Sequence, residues 1–392
     1  MNTNIPFNSC VMGGSYDPPT AGHYHLIKKA STIFDCVYVI LAENATKKAK
    51  SMFTDEERIA MLNDMAKSID PSGNKVKVMV SPPSMYLANL ANKLGAKFLI
   101  RGVRDQIDFG YEQNIYRTNR LIQPQVETLY LMPDDAYSLV SSSWIKSLIG
   151  CSGWTDVIKG GVTPFVLNEL KKKYLEGKFF DLFKTHPLND IDAQYARELW
   201  GEIVKSYGQK SYHGFDHLIH FFDGASTYID SRDTVMDYSI FMHDIRISEQ
   251  ESAELATANF SFEDKLMSTL YNTESLKNKV TRLIMATTHN TCEYVKEDEQ
   301  IIASLDLRIL ASSVDEYIEY SRNVFDEYWK MSGKTKEEFI PLWKKGRSEM
   351  LQKMLARRVI FPWKKMKHME TPARCNIKLE LDLLNEGNVL WT

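Results

Sequence analysis

Cysteine is scarce in this 392-residue chain, and the few cysteines form no pattern. There are five, an odd number, and no two of them form a C-x-x-C pair. Disulfide-stabilised scaffolds and cysteine-based zinc sites need paired or regularly spaced cysteines. Both classes are therefore excluded, and we expect reduced thiols in the cytoplasm.

The sequence also lacks a long apolar run and a surplus of either charge. No uncharged stretch approaches the roughly 20 apolar residues of a membrane span, and the N-terminus has no charged region followed by an apolar core. The 48 Lys and Arg nearly balance the 51 Asp and Glu, for a net charge of -3, and no basic block is present to follow a nucleic-acid backbone. We expect a cytoplasmic protein whose partners are neither membranes nor nucleic acids.

The composition that remains is that of a globular protein with two domains. Hydrophobic residues make up 44% of the chain and charged residues 25%, which is ordinary for a folded protein. The length exceeds one ordinary hydrophobic core. The first 175 residues or so alternate short apolar runs with helical patterns, which predicts an α/β, Rossmann-like, doubly wound parallel sheet. The predicted strands are 10–12, 37–41, 76–80, 98–101 and 128–132.

The second half has a different pattern. From about Asp181 onward the short apolar runs vanish, and helical patterns over 218–229, 252–260 and 307–329 predict an all-α domain. The charged stretch from 171 to 187, with Gly177 and Pro187, is typical of a linker. We therefore expect domains at 1–178 and 179–392.

A dense cluster of polar residues follows the first predicted strand. It reads Gly13-Gly14-Ser15-Tyr16-Asp17-Pro18-Pro19-Thr20-Ala21-Gly22-His23. Glycines, hydroxyls and an imidazole at the start of a helix indicate a phosphate site, because backbone N–H groups point outward there. A tight βα turn with a surface histidine is the plainer interpretation of such a turn taken alone.

Three further motifs follow other predicted strands and favour the phosphate site. They are Lys47-Lys48, Arg101-Gly102-Val103-Arg104 and Ser141-Ser142-Ser143. Because ligands bind at the carboxyl ends of the strands in an open α/β sheet, we expect these cations and hydroxyls to share one crevice.

In this order, and together with Met52-Phe53-Thr54 and Asp108-Phe109-x-Tyr111-Glu112, the motifs resemble the phosphopantetheine adenylyltransferase family of the T/H-x-G-H nucleotidyltransferases. The resemblance covers about residues 8–175. It implies transfer of AMP from ATP to 4'-phosphopantetheine, giving dephospho-coenzyme A and pyrophosphate, with Mg²⁺ accompanying ATP and a homo-oligomeric protein.

The resemblance also implies site residues by position. Those implied for ATP are Ser15, Tyr16, His23, Gly102, Val103, Arg104, Glu112, Tyr137, Ser138, Leu139, Val140, Ser141, Ser142 and Ser143. Those implied for 4'-phosphopantetheine are Ser15, Lys47, Leu87 and Arg101. Attack of one phosphate on another needs alignment and charge neutralisation rather than a protein nucleophile, and His23, Lys47 and Arg101 are the residues implied for that catalysis.

This sequence departs from the family pattern at several positions. Gly13 replaces a usual proline, Leu87 a common methionine, and two extra residues follow Lys47 before the Met-Phe-Thr run. The acceptor is therefore left open, and nicotinamide mononucleotide is the alternative within the superfamily.

Histidines are concentrated in the second half, where seven of the nine lie after residue 180. His217, His243-Asp244 and Asp306 together offer two imidazoles and two carboxylates, a mixed set that suits a divalent cation with open water positions. Manganese, iron, zinc and magnesium are all compatible with it. Any one of these histidines taken alone is more simply an ordinary buried or surface residue.

The motifs Tyr212-His213-x-x-Asp216-His217, Phe241-Met242-His243-Asp244, Thr287-Thr288-His289 and Asp306-Leu307 resemble those of predicted metal-dependent HD-domain phosphohydrolases. The resemblance covers roughly residues 190–385. It implies His217, His243, Asp244 and Asp306 as metal ligands and an HD-type helical fold.

His213, placed one helical turn before His217, is then a candidate general acid. Arg308, Arg347 and Arg374 are candidates for binding phosphate, with helix-packing ion pairs as the alternative. The resemblance implies phosphate-ester hydrolysis without naming a substrate. The alternative is a non-catalytic sensing or oligomerisation module.

Overall fold

A computed structural model describes residues 8–42, 51–104, 106–184, 190–230, 233–258, 273–289 and 294–390. The chain forms two compact units, Met1–Leu170 and Lys171–Thr392. The division falls within a helix, Pro164–Asp181, and the boundary predicted after residue 178 lies further along the same helix. The functional assignment of the two predicted domains stays a prediction.

A five-stranded parallel sheet organises the first unit. The strands are β1 (Ser9–Gly14), β2 (Cys36–Leu41), β3 (Val76–Val80), β4 (Phe98–Gly102) and β5 (Glu127–Leu131). Their order is β3-β2-β1-β4-β5, so β1 pairs with both β2 and β4 and the direction of winding reverses between β1 and β4. All five overlap the predicted strands, which confirms the Rossmann-like sheet.

Helices cover both faces of this sheet. They are α1 (Ala21–Ile33), α2 (Asp55–Ile69), α3 (Leu87–Lys93), α4 (Gln106–Ile122), α5 (Ser142–Leu148) and α6 (Trp154–Ile158). Alternate residues of β1 enter different cores, because successive side chains of a strand point to opposite faces. Cys10 packs with Leu26 and Ile27 of α1, whereas Val11 packs with Ala88 and Leu90 of α3.

Helix caps fix where the helices at the carboxyl edge of the sheet begin. Thr54 and Glu57 form a capping box before α2, and Ser141 accepts a hydrogen bond from the Trp144 N–H at the start of α5. Because capping side chains satisfy backbone N–H groups that have no partner within the helix, these polar residues hold the loops in place.

Every regular element described in the second unit is helical. The α helices are the remainder of α7 (Pro164–Asp181), α8 (Asp190–Tyr207), α9 (Phe215–Tyr228), α10 (Thr234–Met242), α11 (Glu249–Ala256), α12 (Thr273–Ala286), α13 (Glu297–Asp306), α14 (Val314–Ser332), α15 (Lys336–Ala356) and α16 (Glu370–Asn385). Short 3₁₀ helices lie at Leu307–Ala311 and Lys364–Met369. The all-α character of this half is thereby confirmed, while its HD type stays a prediction.

Aromatic side chains fill part of the helical core. The Phe179 ring lies 5.7 Å from the Trp200 ring and 5.4 Å from the Phe241 ring, between centroids. These contacts join α7, α8 and α10. In the part of the chain that the structure describes, no helix has the length and hydrophobicity needed to cross a membrane.

Two boundaries of the helical half differ from the sequence prediction. The stretch from 171 to 181, expected as a linker, continues α7, because a charged run is compatible with an exposed helix face; Pro187 lies outside the described residues. The helix expected over 307–329 is divided, since Ser313 and Glu316 form a capping box that starts α14 separately.

Candidate active site and metal centre

A buried aspartate joins the β1–α1 turn to two other segments at the carboxyl edge of the sheet. Asp17 is 5% exposed. Its carboxylate accepts hydrogen bonds from the backbone N–H groups of Met52 and Phe53 at 3.0–3.1 Å, and from Lys146 Nζ of α5 at 2.8 Å. Asp17 thereby fixes the turn against the segment that begins at residue 51 and against α5.

A buried arginine supports the same turn from α2. Arg58 donates to the Ser15 carbonyl oxygen at 2.8 Å and to the Thr54 carbonyl oxygen at 3.4 Å, and it is paired with Asp55. Sequence reasoning assigned no role to Asp17 or Arg58. The partners of Asp17, and Ser15 as a partner of Arg58, lie more than 30 residues away along the chain, so no local pattern indicates these contacts.

The structure fixes the imidazole of His23 within the first turn of α1. The Thr20 backbone N–H donates to His23 Nδ1 at 2.9 Å, and the His23 N–H donates to Thr20 Oγ1 at 3.4 Å. Because Nδ1 accepts a hydrogen bond, the neutral ring carries its hydrogen on Nε2. Burial, together with the charge of Arg104, lowers the pKa of His23 to about 4. The residue is thus a neutral hydrogen-bond donor at a helix N-terminus.

Arg101 is held at the end of β4 by a bidentate ion pair. Its Nε and a terminal nitrogen each lie 2.6 Å from a carboxylate oxygen of Glu112. The other terminal nitrogen donates to the Gly13 carbonyl oxygen at 2.9 Å. The resemblance assigns Arg101 and Glu112 to different substrates, whereas the structure places them in contact.

A cavity of about 580 Å³ lies beside this ion pair. It is lined by Gly13, Leu87 and Arg101, by the segment 81–86, and by one side of α4 that includes Asn114 and Thr118. A β-carbon built on Gly13 lies only 2.3 Å from Leu87 Cδ1. The leucine therefore occupies the space that a side chain at position 13 needs, so these two departures from the family pattern are in contact.

The other residues implied for ATP lie in the turns around α1, β4 and α5. The Tyr16 ring is 5.0 Å from the His23 ring, Arg104 pairs with Asp108 at 2.7 Å, and Ser142 Oγ donates to the Pro18 carbonyl oxygen at 2.8 Å. Gly102 ends β4, and the N–H of Val103, the next residue, donates to the Leu131 carbonyl oxygen.

The remaining residues implied for ATP lie in the segment before α5 or in α5 itself. Tyr137 lies near Gly22, Ser138 bonds to Asp135, and Val140 bonds to Tyr137. Leu139 is exposed, Ser141 caps α5, and Ser143 lies in its first turn. Lys47 lies outside the described residues.

Four residues in the second unit bring two imidazoles and two carboxylates together. His217 lies in α9, His243 and Asp244 directly follow α10, and Asp306 ends α13. His217 Nε2 is 3.0 Å from His243 Nε2, 3.4 Å from an Asp244 oxygen and 3.3 Å from an Asp306 oxygen. His243 Nε2 is 3.0 Å from the same Asp244 oxygen. All four predicted ligands are thus close together.

The donor set fits a divalent cation. His243 Nδ1 lies 2.8 Å from the Ile240 carbonyl oxygen. A hydrogen bond donated from Nδ1 leaves a lone pair on Nε2, as a metal ligand requires. Although burial opposes protonation, contacts with the Asp244 and Asp306 carboxylates raise the pKa of His217 to about 9, so these carboxylates stabilise positive charge in the cluster.

His213 is close to this cluster, but it does not share a helix with His217. Helix α9 begins at Phe215 after Gly214, and a β-carbon on Gly214 lies 2.8 Å from the Lys210 carbonyl oxygen. The expectation of one helical turn between the two histidines is therefore wrong, because Gly214 is the N-cap of α9 and has an extended backbone, so His213 precedes the helix. The His213 ring is still 5.6 Å from that of His217.

Two further side chains hold the histidines and carboxylates of the cluster in place. Glu327 accepts from His213 Nδ1 at 2.8 Å and from the backbone N–H groups of Tyr212 and His213. His289 Nε2 lies 2.8 Å from the second carboxylate oxygen of Asp306. Sequence reasoning missed Glu327, which lies 114 residues from His213 along the chain, whereas the Thr-Thr-His motif had already drawn attention to His289.

The arginines considered for phosphate binding are engaged in packing. Arg347 forms a buried bidentate pair with Glu380 at 2.9 Å. Arg374 pairs with Glu370, and Arg308 donates to the His220 carbonyl oxygen at 2.5 Å. The structure therefore favours the ion-pair alternative for Arg347 and Arg374.

The fold and the first of these sites define a class of protein. A parallel sheet of order 3-2-1-4-5, with a Thr-x-Gly-His helix start at its carboxyl edge, is the arrangement of a nucleotidyltransferase domain. Consistent with this, the cytidylyltransferase-like family matches residues 11–148.

Three curated relatives, each called phosphopantetheine adenylyltransferase, show the family. The Lacticaseibacillus casei protein is 36% identical over 143 residues, which is 36% of this chain and 81% of the relative. The Chromobacterium violaceum protein is 33% identical over 166 residues, which is 42% of this chain and 97% of the relative. The Neisseria meningitidis protein is 35% identical over 170 residues, which is 43% of this chain and 95% of the relative. Through its first half, the chain belongs to the phosphopantetheine adenylyltransferase family.

Proposed function

We propose that the first unit transfers AMP from ATP to 4'-phosphopantetheine, releasing pyrophosphate and forming dephospho-coenzyme A. The observation that carries the proposal is the fixed, neutral imidazole of His23 at the start of α1, in a family whose curated relatives bear this name. Nothing in the proposed reaction needs a covalent enzyme intermediate, because the acceptor phosphate attacks the α-phosphate of ATP in line and pyrophosphate leaves.

The residues at this edge supply alignment and charge neutralisation. His23 Nε2–H donates to an α-phosphate oxygen as negative charge develops there, and the N-terminal dipole of α1 acts in the same direction. Arg101 and Leu87, at the cavity of about 580 Å³, contact the acceptor. Mg²⁺ arrives with ATP, mostly coordinated by phosphate oxygens and water.

The test is an assay of the full-length protein with ATP, Mg²⁺ and 4'-phosphopantetheine, following pyrophosphate and dephospho-coenzyme A. In His23→Ala we expect kcat to fall by roughly 10² to 10³-fold, as for the loss of one donor to a developing oxyanion. His25→Ala is the matched control, since His25 lies in the same helix and pairs with Asp134. Unchanged turnover in His23→Ala contradicts the assignment. Product formed only with nicotinamide mononucleotide identifies the alternative acceptor.

We further propose that the second unit is a metal-dependent phosphohydrolase. The Nε2 atoms of His217 and His243 lie 3.0 Å from each other and 3.0–3.9 Å from carboxylate oxygens of Asp244 and Asp306, and this convergence favours the function. A divalent cation held by these residues supplies polarisation of a phosphoryl oxygen and activation of water. Glu327 orients the His213 ring by its contact with Nδ1. When the ring is protonated, its Nε2–H donates to the leaving oxygen.

Metal analysis of the purified full-length protein tests this second proposal. We expect about one divalent ion per chain, lost in His217→Ala, together with metal-dependent hydrolysis of p-nitrophenyl phosphate. His368→Ala, at an exposed histidine outside the cluster, is the control. The proposal is refuted if the unmodified protein contains no metal and its metal analysis is the same as that of His217→Ala. Bound metal without hydrolysis of any phosphate ester supports the sensing or structural module instead.

A further inference from the structure

A second cavity of the helical unit adjoins the His–Asp cluster. Its volume is about 440 Å³, and its lining includes Lys210 and Glu327. Lys210 Nζ donates to the Asp244 carbonyl oxygen at 2.5 Å, and Glu327 holds His213. Lys210 thus contacts one member of the cluster, and Ile245 and Arg246, which directly follow Asp244, also line the cavity. The cavity therefore lies beside the cluster.

The charged groups of this cavity favour an anion. Lys205, Lys210 and Lys330 all line it, and within the described ranges none of the three has a carboxylate within ion-pair distance. Lys330 Nζ donates to Ser211 Oγ at 2.8 Å, which leaves its charge uncompensated.

The charge of Lys210 is offset by the carboxylates of Asp244 and Glu327, which attract it. Arg246 pairs with Glu202 at 3.1 Å. Glu251, at the exposed end of the lining, is the remaining acidic group. Among the described lining residues, Lys205 and Lys330 thus face one carboxylate that is not already engaged.

Apolar side chains border the same space. Ile247 is 84% exposed and Met331 57% exposed, and both line the cavity. Large exposed apolar residues beside a cavity are typical of a ligand-binding surface. They offer contact to the carbon skeleton of a substrate, while the lysines contact its charge.

We infer that the substrate of the metal site is an organic phosphate ester that carries a second anionic group, bound by Lys205 and Lys330. The inference rests on the proposed phosphohydrolase function and adds the class of substrate to it. The phosphate that is hydrolysed lies at the His–Asp cluster, and the second group, a phosphate or a carboxylate, lies in the lysine-lined cavity.

Calorimetric titration of the full-length protein, loaded with Mn²⁺, tests this assignment without relying on turnover. The probes are phosphonates, which are not hydrolysed: n-butylphosphonate, butane-1,4-bisphosphonate, hexane-1,6-bisphosphonate and 6-phosphonohexanoate. We expect the better bisphosphonate to bind about ten-fold more tightly than n-butylphosphonate, because one additional charge-assisted contact contributes that much. Comparison with the carboxylate probe identifies which second group is preferred.

Variants localise the effect to the cavity. Lys205→Met/Lys330→Met is expected to remove the advantage of the bisphosphonate and to leave the affinity for n-butylphosphonate unchanged, whereas Lys378→Met, at an exposed lysine of α16, changes neither. Equal affinities in the unmodified protein, or an advantage retained in the double variant, overturn the inference. Lysine-dependent binding without hydrolysis of p-nitrophenyl phosphate instead refutes the phosphohydrolase proposal while the anion site stands.

Discussion

Single histidines of this chain show how the surroundings set the charge of one residue type. His23 is partly buried, and this burial together with the charge of Arg104 lowers its pKa to about 4. His217 is more deeply buried but touches two carboxylates, which raise its pKa to about 9. The first is suited to donate a hydrogen bond as a neutral ring, and the second lies where positive charge is stabilised.

The first prediction concerns the protonation of His23. We expect its imidazole to titrate near pH 4 and to stay neutral from pH 6 to 8, as measured by NMR with the signal assigned from its loss in His23→Gln. In the unfolded chain a histidine takes up its proton near pH 6.5. The unfolded state therefore binds more protons between these values, and the stability contributed by neutral His23 is lost as the pH falls through that window. A midpoint near 6.5 in the folded protein contradicts the prediction.

The second prediction concerns the contact between Gly13 and Leu87. In Gly13→Ala the new methyl group overlaps Leu87 Cδ1, so the leucine must turn into the cavity of about 580 Å³. We expect KM for the acceptor to rise several-fold while KM for ATP is unchanged, measured by steady-state kinetics. In a Leu87→Ala background, where the overlap is absent, Gly13→Ala is expected to cause no further change in KM for the acceptor. Parallel changes in both KM values rule out this local explanation.

At the residue scale, the sequence predicts the groups that carry the chemistry better than those that hold them. His23, Arg101, His217 and Asp306 lie in recognisable motifs. The supporting roles of Arg58 and Glu327 cannot be predicted in this way, because Arg58 bonds Ser15 and Glu327 bonds His213, which are 43 and 114 residues away along the chain. Contacts of this kind depend on the completed fold, and a single sequence contains no periodic pattern that reports them.

At the scale of elements, prediction succeeds where hydrophobic periodicity and capping agree. The five strands are short apolar runs between helical patterns, and Thr54 with Glu57 marks the start of α2. Prediction fails where the apolar periodicity continues past a helix cap. One apolar pattern runs through Leu307–Ala311 and α14, but the helix does not, because Ser313 caps α14 as a separate helix. Helix α7 shows the opposite error. Its charged run predicts a linker, but the helix continues through that run without interruption.

A buried ion pair between α15 and α16 leads to the third prediction. Glu380 is 1% exposed and accepts hydrogen bonds from Arg347, Tyr317 and Ser321. Glu380→Gln leaves the Arg347 charge buried without its partner, which typically costs about 3–5 kcal/mol. We expect a loss of this order in the free energy of unfolding of the helical half, measured by denaturant titration.

The matched control for this measurement is an exposed pair of the same unit. Lys184 and Asp181 are both largely exposed, and a pair of this kind contributes at most about 1 kcal/mol. Lys184→Gln is therefore expected to change the unfolding midpoint little. If both variants are equally stable, the Arg347–Glu380 pair does not hold the three helices α14, α15 and α16 together.

At the scale of the whole molecule, the chain contains two compact units, each with its own core and its own candidate site. The first site is formed by loops at the edge of a parallel sheet, and the second by three helices. No residue is shared between them: the residues proposed for nucleotidyl transfer all lie before residue 144, and those proposed for the metal centre after residue 212.

The last prediction is that the two sites can be inactivated separately. Because each site depends on contacts within its own unit, His217→Ala is expected to lose its bound metal while kcat and KM for adenylyl transfer stay within about two-fold of the unmodified values. His23→Ala is expected to lose adenylyl transfer and to retain its metal. Circular dichroism of both variants shows whether the fold is retained, and His25→Ala and His368→Ala serve as controls. Loss of adenylyl transfer in a folded His217→Ala variant contradicts independence and instead makes the metal centre a regulator of the first site, since a change confined to one unit then alters the chemistry of the other.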